Sequence, residues 1–294
     1  MFLEQLLNGL QLGLVYALIA LGYTMVYGII KLINFAHGDV FMVGAYLGVL
    51  GYTVWKLPFP VAVVVAMAGA AVLGVTIERL AYRPLRVRNA PRIAALITAI
   101  GVSLFLEYFS SLRFVFGPNY RVVDRPFKDV RWQLGPLGIS NIQVIVLLTV
   151  IALLLLLQFV VYRTKIGKAM RAVSFDMDAA RLMGIDVDRV ISFTFAIGSA
   201  LAAAAGILYV MAYPQIYPFM GIMPGLKAFT AAVLGGIGNI PGAVLGALIM
   251  GMAEVFTVGY VTSDYRDAVA FSILILVLLV RPAGLLGKAG PEKV

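Results

Sequence analysis

Long apolar runs separated by short polar stretches dominate the chain. A helix that crosses a bilayer needs about 20 mostly apolar residues. The runs are continuous rather than alternating, which argues against transmembrane strands. Eight segments approach the required length, and 222–235 is a shorter ninth piece: 6–30, 39–56, 60–77, 93–112, 141–161, 190–213, 240–260 and 266–280. The pattern predicts an all-α polytopic membrane protein of about 8–10 transmembrane helices, including broken or re-entrant segments, in one domain over residues 1–294.

Composition excludes most soluble classes of protein. Hydrophobic residues make up 62% of the 294 residues, charged residues make up 13%, and the mean hydropathy is +0.99. Soluble domains average about 25% charged residues. The formal charge of +9 is therefore read as loop charge that orients a membrane protein, and no nucleic-acid partner is expected. With no cysteine and one histidine, thiolate and multi-histidine metal sites are excluded, and we expect neither a metal nor a catalytic residue.

The basic loops predict the orientation. Segments 78–92 and 162–190 carry five and six basic residues, and two spans separate them, so they share a side that we place in the cytoplasm. The loop 113–139 between those spans carries five and is placed in the periplasm. A basic tail with Arg281, Lys288 and Lys293 joins the cytoplasmic side if an odd number of crossings lies between 214 and 280.

The first apolar run is not a cleavable signal. Its only early charge is Glu4 where a signal needs a basic region, and the run reaches Ile30, so it is expected to remain as a helix. The N-terminus lies outside if three full spans precede Glu78, and inside if 31–45 is re-entrant.

Two regions break the helical pattern. The first holds Asn34, His37 and Asp39 between two apolar runs, and the second, 214–242, is rich in proline and glycine. Non-helical backbone at membrane depth survives only where protein or a water-filled cavity satisfies it, and transporters build sites there. The candidate substrate pathway therefore contains these residues: Asn34, His37, Asp39, Gly235, Gly238 and Asn239.

Simpler interpretations of the two breaks remain open. Asp39 could cap the following helix at an interfacial turn, and the glycines could serve close helix packing. The pieces 38–48 and 238–248 are loosely alike, which suggests a two-repeat organisation.

Few charged residues fall inside the apolar runs. They are Glu107, Glu254 and Lys227. Each is a functional candidate because charge in hydrocarbon is costly. A proton relay would need several such groups in series, so we expect structural hydrogen bonds for the two glutamates.

The loop 163–190 is too charged to enter the membrane, yet it has helical spacing. One apolar face predicted for it holds Ala172, Phe175, Ala179, Leu182 and Met183. Ser174 or Asp176 could cap its second helix, and Gly184 could end it. The apolar face could lie on the lipid interface or in a groove on a partner protein.

Within this loop, Asp178-Ala179-Ala180-x3-Gly184 resembles the EAA loop of bacterial ABC importer permeases, with Asp in place of Glu. Three further stretches are similar to the LivH-type permeases of branched-chain amino acid ABC importers: Asn34 to Asp39, Arg83 to Arg86 and Gly235 to Gly242. With the loop from Gly167 to Gly184, the resemblance covers essentially the full length.

The resemblance implies a multi-pass subunit of the bacterial inner membrane. Its expected partners are a homologous LivM-type permease, two cytoplasmic ATPase subunits, a periplasmic substrate-binding protein and the lipid bilayer. It also implies an ATPase-coupling role for five residues: Gly167, Asp178, Ala179, Ala180 and Gly184. The chain has no Gly-x4-Gly-Lys-Ser/Thr phosphate loop, so we expect it to bind no cofactor, with ATP used by partner subunits.

The expected function is alternating-access transport of branched-chain amino acids. Relatives in the resembled family carry urea or short amides, so an amide permease is an alternative. An autonomous secondary transporter or channel is a second alternative, although the Asn-Pro-Ala pair of a water channel is absent. A membrane-embedded enzyme is disfavoured because no metal or Cys–His chemistry is available.

Overall fold

A computed structural model describes residues 2–134 and 137–287. It confirms an all-α architecture, in which six helices are long and apolar enough to cross a membrane. Five of them are single elements: α1 (Phe2–Ile30), α5 (Arg92–Ser111), α6 (Asn141–Arg163), α9 (Val187–Ala212) and α11 (Ile240–Tyr260). The sixth combines α3 (Phe59–Ile77), a π-helical turn (Glu78–Tyr82) and α4 (Arg83–Val87).

Three further apolar helices are shorter than a full span. They are α2 (His37–Thr53), α10 (Ile222–Gly235) and α12 (Arg266–Val280), of 17, 14 and 15 residues. Together with the six long helices they give nine apolar segments among the described residues. The prediction of spans mixed with broken segments is thereby confirmed.

The charge pattern suggested that the segment 78–92 is a loop, but the first part of this segment is helical. The third span continues through it to Val87, and a π-helical turn begins at Glu78. Two arginines of this extension pair with a distant helix: Arg83 and Arg86 donate to the two carboxylate oxygens of Asp188 on α9, at 2.7 and 2.8 Å. Because those partners are non-local, the sequence pattern did not reveal the continuation.

The two ends of the helical bundle are distinguished by their connections, and we term them the inner face and the outer face. The inner face carries α7 (Lys165–Phe175) and α8 (Met177–Leu182). The outer face carries the four strands: β1 (Arg121–Val122), β2 (Arg131–Leu134), β3 (Leu137–Ser140) and β4 (Gln215–Ile216). The strands pair antiparallel, β1 with β4 and β2 with β3.

The N-terminus lies at the outer face. Asn8 accepts a hydrogen bond from Gln143, next to the β2–β3 hairpin, at 2.7 Å. The other end of α1, at Thr24 to Lys31, lies beside α7. The start of α1 and the inner end of the α3–α4 helix therefore lie at opposite ends of the bundle, three helical passes apart, and the side that faces the periplasm stays a prediction. Lys288 and Lys293 of the basic tail lie outside the described residues.

Two helical triplets are related by an inverted repeat. α1 and α3 run from the outer to the inner face, whereas α9 and α11 run the opposite way. The helix contacts correspond as well. α1 packs on α11, and α9 packs on α3. In the same way, α2 packs on α3 and α9, and α10 packs on α11 and α1. The triplet α1–α2–α3 thus corresponds to α9–α10–α11, as in transporters built from inverted repeats.

The repeat has a different register from the one that the sequence suggested. Gly22 and Gly198, where α1 and α9 cross, are separated by 176 residues. The pieces 38–48 and 238–248 lie on α2 and α11, which occupy different places in their triplets, so their likeness does not mark the repeat. Both follow a chain break and are rich in small residues, which accounts for the similarity.

Small residues set the helix spacing in the centre of the bundle. A Cβ atom at Gly44 would lie 2.3 Å from Ala203 Cα, and one at Gly246 would lie 2.1 Å from the Ala231 carbonyl oxygen. Backbones at such close approach leave no room for a side chain. Close helix packing therefore accounts for Gly44 and Gly246.

Candidate functional site

The first break returns the chain to the interior of the bundle. α1 ends at Ile30, Lys31 takes a positive φ of 54°, and α2 starts at His37 beside Gly22 of α1. Asn34 is buried, and its Oδ1 accepts a hydrogen bond of 2.9 Å from the Tyr82 hydroxyl in the π-helical turn.

His37 is a buried packing residue on the wall of this break. Its ring packs edge-on against Tyr23 with 4.8 Å between centroids. Its Nε2 atom has no hydrogen-bond partner among the described residues. The structure thus places Asn34 and His37 in the protein interior, where they position the segment that leads to Asp39.

Asp39 lines a cavity of about 250 Å³ between α2, α5 and α10, which we term the Asp39 cavity. Its Oδ2 accepts a hydrogen bond of 2.5 Å from Ser103, and Glu107 lies one turn further along α5. The N-cap position of α2 is Ala36, so Asp39 does not occupy the capping position considered for it. The rest of the wall is largely apolar and includes these residues: Tyr23, Phe35, Ile100, Leu104, Ile222, Leu226 and Phe229.

The second break separates α10 from α11. Gly236 and Gly238 take positive φ values of 105° and 92°, which glycine adopts without strain. Asn239 caps α11 by accepting from the Gly242 amide at 3.2 Å, and it donates to the Leu286 carbonyl at 2.7 Å. A Cβ at Gly235 would lie 1.8 Å from the Gly242 carbonyl oxygen, so close packing explains that glycine.

The two breaks do not share one cavity. Asp39 lines the cavity between α2, α5 and α10, whereas Gly238 and Asn239 line a second cavity between α1, α6, α7 and the start of α11. The six residues predicted for one pathway are therefore divided between two places in the fold.

The predicted helical loop at the inner face consists of α7 and α8. Thr164 caps α7 by accepting from the Gly167 amide at 3.1 Å. A Cβ at Gly167 would lie 2.2 Å from the Val160 carbonyl oxygen, so this glycine lets α7 fold back on α6. Asp176, one of the two predicted caps, accepts from the amides of Asp178 and Ala179, both at 2.9 Å.

Three apolar side chains of this loop face outward, whereas Met170 and Val173 are buried. Phe175 is 95% exposed, and Leu182 and Met183 are also strongly exposed. Ala180 is only 4% exposed, so it supports α8 from the protein side. Gly184 follows α8 with a φ of +80°, and a Cβ there would meet nothing within 4 Å, so backbone conformation rather than space accounts for this glycine.

Buried carboxylates occupy equivalent places in the two repeats. Glu254 on α11 accepts from Tyr16 on α1 at 3.0 Å and from Lys227 on α10 at 2.6 Å. Glu78, at the end of α3, accepts from Ser192 on α9 at 2.7 Å and from Arg86 at 3.0 Å. Both pairs, Glu78 with Glu254 and Tyr16 with Ser192, are separated by the same 176 residues as the crossing glycines.

These contacts confirm a structural hydrogen bond for Glu254. Sequence reasoning missed Glu78, which is fully buried, because it opens a basic segment and so looked like a loop residue. The available signal was the sequence separation of Glu78 from Glu254, which equals the separation of the crossing glycines. Across the described ranges, no group of three or more metal-ligating side chains comes together.

Comparison with known proteins agrees with this architecture. Residues 5–278 match the family model described as branched-chain amino acid transport system / permease component. The chain is 46% identical to the high-affinity branched-chain amino acid transport system permease protein LivH of Escherichia coli K12, over 100% of this chain and 98% of that protein. It is 42% identical to the permease protein BraD of Pseudomonas aeruginosa, with the same coverage.

A solved structure shares the fold. It is PsaBC from Streptococcus pneumoniae in complex with Fab, with a TM-score of 0.50 and 16% identity, covering 94% of this chain and 91% of that chain. The family match, which spans nearly the whole sequence, decides the assignment. The chain belongs to the permease-component family of branched-chain amino acid transport systems.

Proposed function

We propose that this chain is the transmembrane permease subunit of an ATP-driven importer of branched-chain amino acids. The full-length identity of 46% to LivH carries the proposal, and the similarity to BraD supports it. The span-capable helices and the inverted repeat fit a multi-pass protein of the bacterial inner membrane. Its role is to open and close a path, because the chain lacks a phosphate loop for ATP.

Two ATPase subunits would dock at the inner face through the segment 163–190, which we term the coupling segment. Phe175, Leu182 and Met183 leave an apolar cluster without cover in the described structure. Such a cluster on an amphipathic helix fits a groove on a partner protein.

The five residues of the coupling segment that we assign to ATPase docking contribute in different ways. Asp178 and Ala179 lie on the exposed side of α8, where a partner would meet them. Ala180 supports the helix from below, Gly167 fixes α7 against α6, and Gly184 allows the chain to turn away. ATP-driven movement of α8 would shift the permease between outward-open and inward-open populations.

The Asp39 cavity is the best supported place for substrate contact. The carboxylates of Asp39 and Glu107 would attract the ammonium group of an amino acid, and the aromatic and aliphatic wall would contact an apolar side chain. Asn34 and His37 position the break that carries Asp39. Gly238 and Asn239 line the other cavity and Gly235 is required by close packing, so we propose no substrate contact for these three residues.

A second, homologous permease would complete the path. The side of α5 that points away from the bundle exposes Ile97, Phe105 and Tyr108, beside the Asp39 cavity. A cavity that is half closed by one chain binds weakly, so a periplasmic substrate-binding protein would supply affinity and deliver the amino acid.

The two alternatives differ from the proposal in observable ways. A urea or amide path would need more polar groups than the largely apolar wall of the Asp39 cavity offers. An autonomous carrier or channel would leave the exposed coupling segment without a function.

The test is reconstitution of the purified chain in proteoliposomes with its second permease, its ATPases and its binding protein. We expect uptake of radiolabelled leucine that requires ATP and every subunit, with no uptake of labelled urea. Leucine uptake by the chain without ATPases would contradict the ABC assignment, and urea uptake would contradict the substrate assignment. Leucine binding by the isolated delivery protein provides a matched control for substrate identity.

A further inference from the structure

The second cavity, which we term the Thr24 cavity, has a volume of about 570 Å³ and lies at the inner face. It is bounded by α1, α6, α7 and the break before α11. Its wall extends from Thr24 to Lys31 on α1, a distance of about 10 Å at the helical rise per residue. The cavity therefore extends from the membrane–water boundary into the apolar interior.

Among the residues that the structure describes, two cations and no carboxylate line this cavity. The Arg171 guanidinium donates to the Val161 carbonyl and lies 5.4 Å from the centre of the Tyr162 ring. The Lys31 ammonium lies 6.0 Å from the Tyr27 ring. Within the described part of the chain, neither cation forms an ion pair, so both are available to an anion.

A buried hydroxyl in the same wall lacks a partner. Thr24 is 1% exposed, and its Oγ1 makes no hydrogen bond within the described structure. A helical threonine commonly donates to a carbonyl one turn earlier, as Thr194 does to Val190. A buried polar group without a partner is costly, and a ligand oxygen in the cavity would satisfy it.

The remaining wall is predominantly apolar and includes Met25, Ile29, Met170 and Ile240. A free anion would gain nothing from these apolar side chains. A glycerophospholipid can place its phosphate near Lys31 and Arg171, an ester oxygen toward the Thr24 hydroxyl deeper in the cavity, and its acyl chains along the apolar wall. Basic pockets between transmembrane helices on the cytoplasmic side bind anionic headgroups. We propose that the Thr24 cavity binds an anionic phospholipid, with its headgroup phosphate held by Lys31 and Arg171.

A bound lipid would also contact α7. Met170, Arg171 and Phe175 belong to the wall, so an occupant fixes α7 relative to α1 and α6. The lipid site does not depend on the substrate carried, and its binding can be measured without transport.

The experiment compares lipid retention by the full transporter complex in nanodiscs of phosphatidylcholine with or without phosphatidylglycerol. Native mass spectrometry counts the phosphatidylglycerol molecules that remain bound. Removing both charges with Lys31→Gln and Arg171→Gln is expected to weaken retention about 30-fold, or about fivefold per charge. The matched control, Lys165→Gln with Lys168→Gln, removes the same charge from the same face outside the cavity.

Thr24→Val separates a built site from diffuse attraction. It keeps the net charge and removes the unpartnered hydroxyl, so we expect weaker phosphatidylglycerol retention in a protein that is at least as stable as wild type. The proposal is overturned if both charge variants retain phosphatidylglycerol equally, or if Thr24→Val leaves retention unchanged.

Two further arms identify other occupants. Displacement of phosphatidylglycerol by excess inorganic phosphate would assign the cations to a free anion and would overturn the lipid assignment. Phosphatidylglycerol that binds only after the ATPases are stripped from the complex would also overturn it, because a protein surface would then fill the cavity.

Discussion

Replacing Lys227 with methionine tests the buried cluster at the outer end of the repeat. Lys227 and Glu254 are 2% and 3% exposed, and the ammonium nitrogen lies 2.6 Å from the Glu254 Oε1 atom. The same nitrogen lies 2.7 Å from Asp267. Removing one partner of a buried ion pair leaves an uncompensated charge and costs about 3–5 kcal/mol.

The surrounding groups favour the lower end of that range. Tyr16 remains 3.0 Å from the Glu254 carboxylate and Arg266 remains 3.1 Å from it, so Lys227→Met should cost about 3 kcal/mol. Changing Glu254 to methionine as well removes both charges and leaves the Tyr16 hydroxyl unpaired, which costs about 1–3 kcal/mol. The double variant should therefore be at least as stable as Lys227→Met.

The assay is unfolding of the purified chain by SDS in mixed micelles, followed by circular dichroism. Arg83→Met is the matched control, since its pair with Asp188 is partly exposed and should change stability by at most about 1 kcal/mol. A Lys227→Met variant as stable as wild type, or a double variant whose loss equals the sum of both single losses, would refute the reasoning.

Three further changes test other parts of the molecule. Asp39→Asn should lower the rate of reconstituted leucine uptake about tenfold or more while binding-protein affinity stays constant, because a charge-assisted contact is worth about 1.5–3 kcal/mol; unchanged uptake would remove Asp39 from the path. Phe175→Glu should abolish co-purification of the ATPases without lowering the membrane level of the chain, whereas Val122→Glu on the outer face should change neither. Gly44→Ala should destabilise the chain by about 1–3 kcal/mol in SDS titration because its Cβ meets Ala203, whereas Gly101→Ala, with open space, should be neutral or stabilising; equal effects would contradict the packing.

The sequence predicted those features that depend on local pattern. The apolar run 141–161 matches α6 closely, since a long uninterrupted run has few alternative structures in a bilayer. The cap at Asp176 and the end of α8 near Gly184 were also predictable, because both depend on neighbouring backbone groups.

Features that depend on distant partners were not predictable. The helical continuation after Ile77 requires Asp188 and Ser192 to satisfy Arg86 and Glu78, and those residues are about a hundred positions away. The inward side of Ala180 depends on how α8 packs on the protein, which spacing alone does not determine. The residues of the two breaks looked like one pathway because one chain carries both, and only the packing separates Asp39 from Asn239.

The placement of the buried carboxylates bears on how the chain enters the membrane during synthesis. Charged side chains cost about 2.5–3.5 kcal/mol each at the centre of an inserting helix. Arg86 follows Glu78 by eight residues in one continuous helix, and Lys227 and Glu254 belong to the consecutive helices α10 and α11. Each carboxylate is therefore accompanied by its cation within one helix or one helical hairpin. The insertion machinery can therefore release each carboxylate together with its cation before the two repeats meet.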